Sequence, residues 1–482
     1  MKVFNKKYKF VNDKDRIIIK NNPTENSDAY FAFIHPVYAW ILSLFNGKRS
    51  TQCVLDIISK RLHISDVDAD CIIKSLYHNK KELAISYDGV ISMIPSYVLE
   101  YASYERDEYA ESFFCIEPPL NHNRRRLSYP QTLLICPTLQ CFTDCIYCYA
   151  NKSYVHKEIS SDAWCRLILQ AKSVGIERID VTGGEFFLKK GWTKIAKTLT
   201  ANGYHPDIST KIPLSDKVID CIVDSGLKSI QFSLDTLRQS VAKETLCVNG
   251  NYVNDIKRSI QYADSKKLRI ILKPTLSKFT CNIENVNEVL LFANTLKNIS
   301  KVVISIIGFS CYKPDDNYLK IRPSLQQVYD MRSYISEIRE MVDIPIVDDT
   351  FIYKKCEMKN SKVFDERPLC SANVDGFVIL PDGTATICEE LYWNSFFKIG
   401  NISEHSIIEL WESTKAESLY FLSSNNFPHD SACHKCKDFI HCRYSKGVCW
   451  KLVIEAYGQA KVLYPDPRCP YSPNSQTQFT LD

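Results

Sequence analysis

Apolar and polar positions change their spacing along this chain, and the changes divide it into three stretches. In residues 1–104, Lys7 to Asn12 and Arg16 to Asn21 read as a two-strand ribbon. The pattern then turns helical. His35-Pro36 opens a helix that runs through Leu44 and stops at Asn46-Gly47, and Ser50 caps a second helix, Ser50 to Leu62. A third, Ser65 to His78, carries Asp66 and Asp68 in its first turn, where the helix dipole favours negative charge. Val54, Ile57, Ile58, Leu62, then Cys71, Ile72, Leu76, recur at helical spacing and predict one small core. A strand pair around Ile85 to Ile94 closes the unit. Residues 105–129, with Pro118-Pro119 and Arg124 to Arg126, read as a linker.

In residues 130–345 strands and helices alternate. The run Gln131 to Pro137 is a strand, followed by a helix at Ser160 to Gly175, a strand at Arg178 to Thr182 and a helix at Trp192 to Asn202. Next come strand Ile208 to Lys211, helix Asp216 to Ser225, strand Ser229 to Leu234 and helix Asn254 to Ser265. Strand Arg269 to Thr275, helix Glu284 to Leu296, strand Val302 to Ile307 and a helix in the Ser324 to Met341 region complete the series. Such alternation predicts an α/β fold with a parallel sheet, whose ligand sites lie at the C-terminal ends of the strands. Residues 346–482 are punctuated by cysteines instead, with a hairpin predicted where Phe377 to Leu380 and Thr384 to Ile387 flank Pro-Asp-Gly.

Composition narrows the function. A chain of 482 residues exceeds what one core usually serves. Its 60 Lys and Arg nearly balance 56 Asp and Glu, which gives no reason to invoke nucleic acid or an anionic membrane. No apolar run reaches the roughly 18 residues of a membrane span. The start, Met-Lys-Val-Phe-Asn-Lys-Lys-Tyr, has no apolar signal segment, so a soluble, cytoplasmic protein is expected. Against that background 20 cysteines stand out, and they point to metal clusters before disulfides.

Cys141, Cys145 and Cys148 share one loop, Cys-Phe-Thr-Asp-Cys-Ile-Tyr-Cys. Zinc asks for four ligands, and no His stands beside these three cysteines. Three thiolates suit a cuboidal 4Fe-4S cluster whose fourth iron has no protein ligand. Downstream, Ile179 to Glu185 is an apolar strand ending in Gly-Gly-Glu, where Gly183 and Gly184 let the backbone approach a ligand closely.

These residues resemble the radical S-adenosylmethionine (radical SAM) superfamily, whose signature is CxxxCxxC with an aromatic before the last Cys, here Tyr147. The resemblance implies a partial (β/α)6 TIM-like barrel and a SAM molecule chelating the open iron of a cluster held by Cys141, Cys145 and Cys148. It implies a 5'-deoxyadenosyl radical as the reactive species. It places the amino group of SAM on Gly183, Gly184 and Glu185, and the ribose near Ser209, Lys211 and Ser233. Relatives usually have Asn where Lys211 stands.

Further on, Cys370, Cys388, Cys433, Cys436, Cys442, Cys449 and Cys469 resemble the SPASM extension of radical SAM enzymes. That family would give Cys370, Cys388 and Cys449 to a first auxiliary 4Fe-4S cluster and Cys433, Cys436, Cys442 and Cys469 to a second. The fourth ligand of the first is open between Cys356 and a substrate thiolate. Six residues separate Cys442 from Cys449, where relatives usually have three. A zinc ribbon on Cys433, Cys436, Cys442 and Cys449 is the competing reading. The remaining cysteines (Cys53, Cys71, Cys115, Cys136, Cys165, Cys221, Cys247, Cys281, Cys311) read mostly as buried small hydrophobes.

The N-terminal unit resembles the PqqD-type winged helix called a RiPP recognition element, in which a leader peptide adds as a strand to the ribbon edge and packs against the third helix. DNA binding is disfavoured because that helix begins Ser-Asp-Val-Asp-Ala-Asp. Together the resemblances imply an enzyme that modifies a ribosomally made precursor peptide and takes electrons from a flavodoxin- or ferredoxin-type reductant. A thioether crosslink ranks first, then carbon-carbon crosslinking, then epimerisation. An anaerobic sulfatase-maturing enzyme and a non-catalytic iron-sulfur sensor are the alternatives.

Overall fold

Two units make up the chain, Met1–Ser128 and Tyr129–Asp482. The structure is a computed structural model that describes residues 1–21, 30–116, 120, 124–150, 157–313, 315–350, 353–354, 361–473 and 480–481. Cys356 and Pro118-Pro119 lie outside the described residues.

The first unit holds β1 (Lys2–Phe4), β2 (Tyr8–Asn12), β3 (Ile17–Asn21) and β4 (Phe31–Ile34), followed by α1 (Pro36–Ser43), α2 (Thr51–Leu62) and α3 (Asp66–Tyr77). The hairpin β5 (Leu83–Tyr87) and β6 (Val90–Ile94) comes next, and β7 (Leu99–Tyr101) returns to pair with β1. The expected ribbon is β2 and β3, with β4 added on the far side of β3. Ser50 and Ser65 cap their helices through the amides of Cys53 and Asp68. Of the anticipated core positions, Val54, Ile58 and Leu76 are buried, whereas Cys71 is exposed.

The segment read as a linker does not hang free. Arg106 donates to the carbonyls of Asn5 at 2.9 Å and Tyr8 at 3.0 Å, and Phe114 enters the core. Arg16 is fully buried, pairs with Asp13 at 2.7 Å and donates to the carbonyl of Arg126 at 2.8 Å. A buried guanidinium needs such acceptors, and the downstream backbone supplies them.

The second unit opens with β8 (Thr132–Ile135), α4 (Ser161–Ser173), β9 (Arg178–Val181), α5 (Trp192–Ala201), β10 (Ile208–Thr210) and α6 (Asp216–Asp224). It continues with β11 (Ser229–Phe232), α7 (Gln239–Leu246), α8 (Tyr252–Ser265), β12 (Arg269–Leu272), β13 (Thr275–Leu276), α9 (Ile283–Ala293), β14 (Ile299–Ile306), α10 (Asp315–Ile321), α11 (Leu325–Ile338) and β15 (Ile346–Asp349). The strands pair in parallel, β8 with β9, and β10, β11, β12, β14 and β15 in that order. The six anticipated strands are present. β15 was expected to begin the next domain, because four residues ending in two aspartates show no strand alternation, yet it extends the same sheet.

Beyond lie β16 (Tyr353–Lys354), α12 (Ser361–Asp365), β17 (Gly376–Ile379), β18 (Thr384–Thr386), β19 (Lys398–Asn401), α13 (Ile407–Trp411), α14 (Thr414–Tyr420) and α15 (Trp450–Tyr457). The predicted hairpin is β17 and β18, with Val378 opposite Thr386. Its other edge pairs in parallel with β8, Gly376 beside Thr132 and Ile379 beside Ile135. A Cβ on Gly376 would sit 2.1 Å from the Thr132 carbonyl oxygen, so only glycine permits this join. Phe377, Ile379 and Trp411 consequently share one core with Leu133, Trp164 and Ile230.

Cys53, Cys71, Cys115 and Cys247 are exposed, against the expectation of burial, while Cys136, Cys165 and Cys281 are buried and Cys221 and Cys311 half-buried. Among the described residues no helix is long and apolar enough to cross a membrane.

Candidate functional site

The loop that follows β8 carries the three cysteines, with Cys141 exposed, Cys145 buried and Cys148 half-buried. Thr143 sits between two of them, its hydroxyl 3.6 Å from the Cys141 sulfur and 3.2 Å from that of Cys145. Burial raises the Cys145 thiol pKa, and the positive charge of Lys211 opposes this.

Gly183 and Gly184 shape the site in an unexpected way. A Cβ on Gly183 would lie 2.3 Å from the Cys136 sulfur, and one on Gly184 would lie 2.2 Å from the Gln140 carbonyl oxygen. The glycines therefore admit the chain's own backbone just ahead of Cys141. Two hydrogen bonds complete the join, Gly184 N to Thr138 O at 2.8 Å and Glu185 N to Gln140 O at 2.6 Å.

Glu185 is buried beneath this loop. Its Oε2 accepts from the Lys211 amide at 3.1 Å, and the Thr210 hydroxyl bonds to the same carboxylate. Its Oε1 is buried and meets no donor in good hydrogen-bond geometry, the Phe187 amide also approaches the carboxylate, and burial pushes the carboxyl up to about 7. A carboxylate oxygen in that state fits a cationic amine, which is what SAM would present.

A second network lies alongside. The Lys211 ammonium is 2.8 Å from Asp235 Oδ2 and 2.8 Å from the Tyr147 hydroxyl, and that hydroxyl donates to Asp235. Asp235 is 1 % exposed, and its Oδ1 accepts from the Thr275 amide at 3.0 Å. Burial is the largest influence on Lys211 and works against its charge, but Asp235 together with Cys145 and Cys141 outweighs it and the pKa is raised. Lys211 and Tyr147 are thus brought together by a residue that sequence reasoning passed over. A carboxylate closing the apolar strand Ile230 to Phe232 was the available signal. Ser209, in the middle of β10, and Ser233, just past β11, are half-buried. Neighbours on a strand point opposite ways, and it is Thr210 whose hydroxyl meets Glu185.

The C-terminal cysteines fall into two groups. Cys388 lies within electrostatic reach of Cys370 and Cys449, and Cys449 within reach of Cys370. Cys433, Cys436, Cys442 and Cys469 wall a single cavity. The long interval before Cys449 is absorbed by a widened helical turn, His441–Lys446, and by Gly447 at φ +78. Cys449 therefore sits with Cys370 and Cys388, and Cys469 takes the place a zinc ribbon would give it. Among the described residues no three or more His, Cys, Asp or Glu side chains converge as a single metal ion requires. A cuboidal cluster does not ask for that, because each thiolate binds its own iron.

Two family models match the chain. Residues 135–281 match the radical SAM superfamily, and residues 370–437 match the SPASM iron-sulfur cluster-binding domain. The chain carries a radical SAM domain followed by a SPASM domain. A GTP 3',8-cyclase of Desulforamulus reducens is 32% identical over 149 residues, which are 30% of this chain and 44% of that protein, so the match spans less than half of that relative. A PqqA peptide cyclase of Rhizobium meliloti is 21% identical over 302 residues, 61% of this chain and 77% of the relative. Among solved structures, Streptococcus suis SuiB superposes with a TM-score of 0.64 at 15% identity, covering 97% of this chain and 99% of SuiB. That likeness concerns the fold.

The SPASM domain also reaches the radical SAM strand ends. Glu389, next to Cys388, accepts from the Thr182 hydroxyl at 2.8 Å and from the Tyr149 hydroxyl at 3.4 Å. Tyr149 follows Cys148 and Thr182 precedes Gly183, so one carboxylate connects both halves of the site. Burial raises its pKa.

Proposed function

We propose that this chain is a radical SAM enzyme that modifies a ribosomally synthesised precursor peptide. The observation that carries the reading is the unpartnered, buried Oε1 of Glu185 beside the three-cysteine loop. Cys141, Cys145 and Cys148 would hold one 4Fe-4S cluster, and Glu185 would bind the amino group of SAM. When bound, SAM and the reduced cluster supply a 5'-deoxyadenosyl radical that removes a hydrogen atom from carbon. Gly183 and Gly184 hold the loop at its working distance from Glu185. Asp235 fixes Lys211 and Tyr147 at the cofactor's edge, with Ser209 and Ser233 on the ribose side. Cys370, Cys388 and Cys449, and Cys433, Cys436, Cys442 and Cys469, would hold two auxiliary clusters.

A peptide substrate is supported by the similarity to a PqqA peptide cyclase and by the fold shared with SuiB, a protein solved bound to its precursor peptide SuiA. The leader would add as a strand to the first unit, read as a winged-helix recognition element. β3 is paired on both sides, and Arg106 and Tyr109 meet the backbone of β2 at Tyr8 and Phe10. Among the described residues β4 (Phe31–Ile34) is the other outer strand of this sheet, with β6 packed near it, and the leader would add there. Tethering the leader raises the local concentration of the core peptide at the site.

The favoured product is a thioether, because the fourth ligand of the first auxiliary cluster, which is either Cys356 or a substrate thiolate, would in the second case hold the reacting sulfur, and the auxiliary clusters could accept the electron released on ring closure. Carbon-carbon crosslinking is the second reading, favoured by the peptide cyclase among the relatives. The test is anaerobic reconstitution with a flavodoxin-type reductant and coexpression with the peptide of a neighbouring short open reading frame. Release of 5'-deoxyadenosine with a loss of two hydrogens from the peptide is expected. An unchanged mass points to epimerisation, and absence of SAM cleavage points to the sensor reading.

A further inference from the structure

Two guanidiniums flank the cysteine quartet of the SPASM domain, one of them short of hydrogen-bond partners. Arg443 is 6 % exposed, and its Nη2 lies 3.4 Å from the Cys433 sulfur and 3.1 Å from the Tyr464 carbonyl oxygen. Its Nε and Nη1 are buried with no hydrogen-bond partner. The rings of Phe427 and Trp450 lie 4.7 and 5.6 Å from its guanidinium carbon. Arg367 is 5 % exposed, and its Nη2 lies 3.5 Å from the Cys442 sulfur and 3.0 Å from the Gly447 carbonyl oxygen.

Arginine does not lose its proton in a protein, so both sites carry full positive charge. A buried cation needs a counter-charge. Among the described residues neither guanidinium is paired with a carboxylate. Asp466, the carboxylate bordering the same cavity, is engaged by Arg468 at 2.6 Å. Arg367 also donates to the carbonyls of Phe364 and Gly447, which carry no net charge, and the one group of negative character each arginine touches is a ligand sulfur, on Cys433 for Arg443 and on Cys442 for Arg367. Negative charge on those sulfurs therefore completes both environments, and four thiolates around an iron-sulfur core provide it.

We propose that Arg443 and Arg367 are the fixed counter-charges of the cluster held by Cys433, Cys436, Cys442 and Cys469, and that they raise its reduction potential. Reduction adds one negative charge to a site that already carries net negative charge. Cationic donors on its sulfurs favour the reduced form, and net charge and sulfur hydrogen bonds are the levers that set such potentials. Arg443 also borders the cavity lined by Cys370, on the side of the first auxiliary group. Its charge therefore lies between the two sets of thiolates. The inference rests on the reading of these cysteines as cluster ligands.

The test is a potentiometric titration of the full-length reconstituted protein followed by electron paramagnetic resonance. It is run with Cys141, Cys145 and Cys148 replaced by Ala, so that auxiliary signals stand alone. Arg443→Gln is expected to raise the oxidised-to-reduced ratio of one auxiliary cluster about tenfold at a fixed potential, a downward shift of about 59 mV for a one-electron couple. Arg443→Lys, which keeps the charge, is expected to recover most of that shift. An unmoved potential in Arg443→Gln with full iron overturns the proposal and leaves the cluster reading intact. If Arg443→Gln is isolated without its iron, Arg367→Gln carries the same measurement, and an unmoved potential there overturns the proposal equally. Zinc in place of iron in the parent protein overturns the cluster reading and this proposal together.

Discussion

The cysteine loop after β8 and the quartet of the SPASM domain use the same side chain to opposite ends. At the loop three thiols are offered, one of them exposed, and the partnerless polar atom nearby belongs to an acid, Glu185. At the quartet four thiols close around one cavity, and the partnerless polar atoms belong to a cation, Arg443. An incomplete ligand set beside an unsatisfied carboxylate suits a cationic small molecule that comes and goes. A complete set beside fixed cations suits a group that stays and takes up negative charge. Burial without a partner is costly in both places, and the sign of the unsatisfied group tells what each is built to meet.

The largest effect that would sharpen this contrast is removal of the loop thiols. Replacing Cys141, Cys145 and Cys148 with Ala should reduce SAM cleavage to background, read as 5'-deoxyadenosine, while auxiliary iron stays. Loss of all iron would break the separation of the two sites. Next in size is Lys211→Met, which leaves Asp235 as an uncompensated buried charge. It should cost about 3 to 5 kcal/mol and lower the denaturation midpoint of the second unit. Gly184→Ala should be milder, about 1 to 3 kcal/mol of overpacking against Gln140. Cleavage should fall with it while the auxiliary spectrum is unchanged, because the clash is confined to the loop.

Glu185→Gln should weaken SAM binding by roughly tenfold to a hundredfold, the worth of one charge-assisted hydrogen bond, as measured by equilibrium binding. This variant also carries a pH signature. The carboxyl has a folded pKa of about 7 against an ordinary value of 4.5. Its neutral form is the better buried, so its contribution to stability is present below 4.5 and is lost as pH rises to about 7. The Gln variant does not ionise. Its stability relative to the parent should therefore grow across that window, and a flat difference would show that Glu185 is not held as described.

Local patterns were legible where a residue's neighbours in sequence are also its neighbours in space. The cap Ser50 and the hairpin around Pro-Asp-Gly rest on contacts a few residues apart, and the six anticipated strands showed as short apolar runs although their partners are distant. β15 and α7 went unseen because short segments carry too few apolar positions to show a period. The supposed linker failed for another reason. Its place is set by the buried Arg16, whose need for carbonyl partners is not visible in a list of charges.

By itself the sequence determined the chemistry on offer: three thiols in one loop, Gly-Gly-Glu at a strand end and seven later cysteines. Those choices lie in residue type and short spacing, which folding does not alter. Only the tertiary structure decided what each residue faces. It turned Gly183 and Gly184 toward the chain's own backbone, set Asp235 between Lys211 and Tyr147, and joined β17 to β8 through Gly376. It also separated Cys449 from Cys442. Each of these depends on contacts between distant segments, and the closure of such contacts is set by the packing of the whole domain.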